Sequence, residues 1–230
     1  MFSGSSVSGW PRPVPWSVAD AALATGLVFA AFFVVWILMD PIAGVLADDT
    51  RLLPWLLAVL EGFMLIAVWA FAVKKYGIPW RLLGLRRPDG HALVLPAVAL
   101  LGSVGFTAVY FGVLAGLGLD SMDSSQLQED VLGEGTVKVL NMMILAGWAP
   151  FTEEVFFRGF LLASLLPSLG AVRAATLSSV VFAGAHMLPV AMIPLFVTSL
   201  LLSWLYIRTR SIWPPVAAHA AQNLLAASMI

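Results

Sequence analysis

The chain has 230 residues, of which 60% are hydrophobic and 11% charged, and its formal net charge is -1. A soluble domain usually carries about 25% charged residues, so a mean hydropathy of +0.95 excludes that class and points to lipid as the solvent. The charge balance offers no basic surface for nucleic acid, and the absence of cysteine excludes disulfides, thiolate metal sites and a cysteine nucleophile.

In chain order, residues 1–17 read as an aromatic, proline-containing interfacial segment, with Trp10 and Trp16 at headgroup level. This start lacks the pattern of a cleaved signal peptide. A first span is expected over Ala21–Met39, followed by an acidic loop, Asp40–Arg51. A second span, Leu52–Val73, carries Glu61 about halfway along. The loop Lys74–Asp89 holds Lys74, Lys75, Arg81, Arg86 and Arg87 and is assigned to the cytoplasm. A third span lies within His91–Leu119, and Asp120–Glu134 is an acidic loop.

Apolar character resumes over Val137–Leu166, long for one straight crossing of a core about 30 Å thick. Pro150 is expected to divide it, as a broken or re-entrant helix, with one stretch ending near Ala149 and the next starting near Phe151. Further spans follow over Arg173–His186, Ile193–Ile207 and Pro214–Ile230. The apolar runs exceed the length of barrel strands. The expected fold is therefore all-α: a polytopic transmembrane bundle of about seven spans, one integral membrane domain over 1–230, with the N-terminus in the cytoplasm and the body in the cell's inner (plasma) membrane.

Chemistry concentrates in three apolar segments. The first is Phe151–Arg158, FTEEVFFR. Glu154 and Arg158 are four apart, share a helix face and can pair. Glu153 points about 100° away from Glu154, has no obvious local partner, and is the candidate general base. The second segment places Phe182 one turn before His186, so the ring can hold the imidazole. The third places His219 one turn before Asn223, where the amide can orient the histidine or donate to an oxyanion. His91 reads as interfacial. Glu153, His186 and His219 would also make a chemically sensible zinc set, although no HExxH is present. No serine, Ser178, Ser179, Ser199, Ser203 and Ser228 included, lies in a nucleophile-elbow pattern.

These three segments resemble the motifs of the CAAX-processing and bacteriocin-immunity family of intramembrane proteases, which includes the type II CAAX prenyl endopeptidase. EExxxR reads Glu153-Glu154-Val-Phe-Phe-Arg158, FxxxH reads Phe182 to His186, and HxxxN reads His219 to Asn223, in order and on apolar segments. Gly159 extends the first to FRG, and Leu83–Arg87 reads LGLRR. The motif-bearing core is about 137–227. The resemblance implies a helical bundle with a membrane-embedded cavity. In it Glu153 works with His186 to activate water, His219 and Asn223 stabilise the oxyanion, Glu154 and Arg158 support the site, and Phe182 packs beside it. It leaves zinc an open cofactor and implies a peptide or protein substrate, lipidated or membrane-associated, beside membrane lipid.

Two other readings stand next to an endopeptidase. One is a non-catalytic membrane scaffold or peptide-immunity factor that keeps the motifs for structure. The other is a proton-coupled transporter, motivated by Glu61 within a span.

Overall fold

The computed structural model describes residues 13–38, 52–88, 94–119 and 134–228, and among these every regular element is helical. Trp10, His91 and most of the two acidic loops lie outside the described residues. Helix α1 is Val18–Ile37 and α2 is Leu53–Val68, which continues as a π-helical stretch, Trp69–Lys74. Helix α3 is Leu95–Gly116, α4 is the long run Gly135–Ala185, α5 is Met192–Thr209 and α6 is Trp213–Ser228. Short 3₁₀ turns occupy Trp80–Leu83 and Pro189–Ala191.

Five of the described helices, α1 to α5 with the Trp69–Lys74 and Pro189–Ala191 turns included, are long and apolar enough to cross a membrane. Helix α6 is shorter, at 16 residues. The expected divisions of the long apolar run do not fall where the sequence placed them. Helix α4 continues through Pro150 without a break. Its hydrogen bonds switch to the wider i→i+5 pattern over Ile144–Trp148, as the Ala149 N–H reaching back to the Ile144 carbonyl shows. The wide turn takes up the proline, which has no N–H to donate. The true bend is at Gly170, whose φ of 73° and ψ of 172° suit a residue without a Cβ. It separates a leg over 135–169 from a leg over 171–185, and the second leg packs against α5.

The leg over 135–169 is the axis of the bundle. Helices α1, α2 and α6 pack against it, and α3 packs on α5 and α6. The segment Val155–Leu166 is buried throughout, whereas α3 exposes Val98, Leu101 and Val109, as a lipid-facing helix does. Trp16 turns its ring into the protein. It is 2% exposed, its ring stacks on Phe160 at 5.8 Å, and its indole N–H donates to the Phe160 carbonyl at 3.1 Å. A buried indole needs such an acceptor, and the carbonyl of the second π-helical stretch of α4, Glu154–Leu162, provides it.

The loop after α2 is pinned to the same axis. A Cβ on Gly159 would run into the Leu83 carbonyl oxygen. Gly84 has φ 91°, and a Cβ there would lie 2.8 Å from the Tyr206 ring. The Ile212 N–H donates to the Gly84 carbonyl at 3.0 Å and the Ser211 hydroxyl to the Arg86 carbonyl at 2.6 Å. The glycine of FRG is thus the seat on which LGLRR docks.

At the start of α1, Asp20 accepts from the Ser17 backbone, from the Lys75 ammonium and from the Tyr76 phenol. Those hydrogen bonds hold Lys75 and Tyr76 above their ordinary pKa values.

Two expectations follow. Gly159→Ala should cost about 1–3 kcal/mol through overpacking, read as a lower thermal midpoint in detergent. Gly105→Ala, at a helical site with open space, should cost nothing measurable. Because raised pKa values stabilise below the unfolded values of about 10 and are lost as pH rises through the folded ones, the midpoint should fall on the alkaline side. Asp20→Asn should lower the midpoint at neutral pH and flatten that alkaline fall.

Candidate active site

The carboxylate of Glu154 is the fixed point of the site. Its Oε1 accepts from Arg158 Nη1 at 2.9 Å and from His219 Nδ1 at 3.0 Å. Glu154 and Arg158 are both fully buried. The i, i+4 spacing brings the pair together even though the intervening helix is π rather than α. Arg158 Nη2 reaches α5, donating to the Ser199 hydroxyl at 2.9 Å and the Ser199 carbonyl at 3.3 Å. Ser199, which the sequence offered only as one of several serines within spans, is thereby an anchor of the motif arginine. The signal for it was faint: one hydroxyl on an apolar helix.

Phe182 joins the groups of the three motifs. The Arg158 guanidinium lies 4.7 Å from its ring centroid, His186 at 4.7 Å and His219 at 5.8 Å. Phe157 meets the same ring edge-on at 5.0 Å. His186 caps the end of its helix, with Nδ1 2.9 Å from the Phe182 carbonyl. A carbonyl only accepts, so that nitrogen carries the hydrogen and Nε2 is left for other work. Among the described residues His186 makes no ion pair with either glutamate and is linked to them through Phe182.

Glu153 faces the other way. It is 7% exposed, its Oε2 has no hydrogen-bond partner among the described residues, and that oxygen is 3.9 Å from His219 Nε2. His219 therefore stands between the two acids, holding Glu154 with one nitrogen and facing Glu153 with the other. Beside Glu153 in sequence, the buried Thr152 hydroxyl donates to Glu61 of α2 at 2.8 Å.

Asn223 meets the protein in a way its spacing did not foretell. Its Nδ2 donates to the Leu145 carbonyl at 2.8 Å, not to His219. In the i→i+5 turn that carbonyl would be served by residue 150, which is proline and has no N–H. Asn223 fills the vacancy with one amide hydrogen and keeps its second.

The same donors do not assemble into a zinc set. Among the described residues no three His, Asp or Glu side chains are grouped to hold a metal ion. His186 and His219 each keep Nε2 for a ligand, as metal-binding histidines do, but His186 makes no ion pair with Glu153 among the described residues. Glu153, His186 and His219 thus do not fit a three-ligand zinc site in this arrangement.

Arg158→Met should cost about 3–5 kcal/mol, since it strands the buried Glu154 charge. The double change Glu154→Gln with Arg158→Met should recover part of that loss. Unfolding midpoints of the purified variants test both.

In comparisons with known proteins, the family model described as Type II CAAX prenyl endopeptidase Rce1-like matches residues 135–225. No curated protein matches the chain, and no solved structure does. The match spans α4, α5 and nearly all of α6, and so includes every motif residue above.

Proposed function

We propose that this multi-pass membrane protein, which carries an Rce1-like domain at residues 135–225, is an intramembrane endopeptidase that hydrolyses a peptide bond with Glu153 as general base. The observation that carries the reading is the unequal state of the paired glutamates. Glu154 accepts from Arg158 and His219 through Oε1, while Glu153 accepts no hydrogen bond among the described residues and holds Oε2 3.9 Å from His219 Nε2. Glu154 Oε2 and Arg158 Nε are unpartnered as well, so the distinction is between two hydrogen bonds on Glu154 and none on Glu153.

In the proposed reaction a water beside Glu153 gives its proton to the free Oε2, and the water oxygen bonds to the peptide carbonyl carbon. The carbonyl π electrons move onto oxygen as the tetrahedral oxyanion forms. The second amide hydrogen of Asn223 is a donor for that oxyanion, and His219 is the other when both of its ring nitrogens carry hydrogen, Nδ1 keeping its bond to Glu154. On collapse, the C–N bond breaks and the amine leaves with the proton Glu153 took. His186, held by Phe182 with its Nε2 free, orients the water or the leaving amine. Arg158, Ser199 and Glu154 hold the histidine of α6 against the glutamates of α4, and the buried setting strengthens each of these contacts. The substrate class is a peptide or protein that reaches this site from the membrane, with or without a lipid.

Cleavage of a quenched-fluorescence peptide library by the protein in detergent tests the reading. Glu153→Gln, with unchanged thermal midpoint, should lower the rate by at least about 10²-fold. Activity should persist in a zinc chelator. Equal cleavage by wild type and Glu153→Gln would end the proposal and favour a non-catalytic role.

A further inference from the structure

The segment that carries Glu153 lies between two widened stretches of its helix. Ala149–Glu153 is a five-residue α-helical stretch between two wide turns, Ile144–Trp148 and Glu154–Leu162. Each wide turn lets the helix rotate about its axis relative to a regular α-helix. Contacts from outside α4 bear on the direction in which Glu153 points.

Helix α2 makes two contacts that do so. The Trp148 indole donates to the Ala58 carbonyl at 2.9 Å, and the Thr152 hydroxyl, which also lies 3.0 Å from the Ala149 carbonyl of its own helix, donates to Glu61 Oε2 at 2.8 Å. On α4 these residues are one turn apart, and on α2 their partners are three apart, so the two rungs rise together. They bracket the short α-helical stretch at both ends. The second rung ends on the residue next to Glu153, and Glu61 is near enough to Glu153 for their charges to interact. Thr152 is fully buried and Glu61 half-buried, in a span where an acidic side chain is costly without a task. Glu61 lies outside the matched domain of 135–225.

We infer that Glu61 is a positioning residue for the hydrolytic site: by accepting the Thr152 hydroxyl it sets the rotation of the 149–153 turn, so that the free oxygen of Glu153 faces His219. The inference rests on the protease reading. It makes α2, which carries none of the three motifs, a required part of the site. It also gives Glu61 a task other than moving ions across the membrane.

Steady-state kinetics on the full-length protein in detergent provide the test, with thermal midpoints measured alongside. Glu61→Leu removes the acceptor and should lower kcat about ten- to a hundredfold, with KM within about twofold and the midpoint little changed. Glu61→Gln keeps an acceptor oxygen and should keep most of the activity. Thr152→Val should match Glu61→Leu, Thr152→Ser should restore activity, and the double change Thr152→Val with Glu61→Leu should be no worse than either alone. Full kcat in Glu61→Leu overturns the inference. So does a loss in Glu61→Gln as deep as in Glu61→Leu, because the carboxyl itself would then be what matters. A loss of kcat that only follows unfolding overturns it as well. If wild type and Glu153→Gln are indistinguishable, the protease reading falls and takes this inference with it. That outcome is distinct from an active, Glu153-dependent enzyme indifferent to Glu61.

Discussion

A guanidinium buried completely inside an apolar helical bundle is the constraint on which this protein is built. Arg158 has no water to solvate it, so the surrounding helices must supply acceptors. Glu154 provides a carboxylate from the same helix, Ser199 a hydroxyl and a carbonyl from α5, and Phe182 the face of a ring. Glu154 in turn accepts from His219 on α6. One buried charge thereby ties together both legs of α4 and helices α5 and α6. Such a pair is weak evidence for stability, because its desolvation offsets much of its attraction. What it fixes is relative position, and position is what a site assembled from separate helices requires.

A second theme is how the axis helix handles its own backbone. Two π-helical stretches leave carbonyl groups that α6, the second leg of α4 and the N-terminal segment meet with side chains. Asn223 donates to Leu145, Ser178 to Phe157 and Trp16 to Phe160, at 2.8, 3.2 and 3.1 Å. Each removes a polar group from lipid-like surroundings, and each also sets a register between elements. Pro150 belongs to this scheme. By withholding one N–H it creates the acceptor that Asn223 occupies, so a residue that looked like a helix breaker is part of how α6 is seated.

The two glutamates show how adjacent residues of one type diverge. The helix turns about 100° between them, which sends Glu154 into the arginine cluster and Glu153 toward His219 and the α2 side. Glu61 and Thr152 complete that side. A sequence pattern that reads as one pair is, in space, a support and a separate acceptor.

The sequence by itself determined the helical membrane class, because 60% hydrophobic and 11% charged residues leave few other ways to fold. It also determined the Glu154–Arg158 pairing, since i, i+4 neighbours on one helix meet whatever surrounds them. The Phe182–His186 contact was legible for the same reason. Only the tertiary structure decided which carboxylate His219 would bond, that Asn223 would serve the Leu145 carbonyl, that Trp16 would turn inward, and that the bend would fall at Gly170 and not Pro150. Short-range periodicity states which residues share a face, but not what the face will meet. Widening a helix by one backbone atom pattern also has no signature in residue type. Contacts between helices 60 or more residues apart, such as those of Glu61 with Thr152 and of Glu154 with His219, come from packing, and packing is a property of the whole bundle.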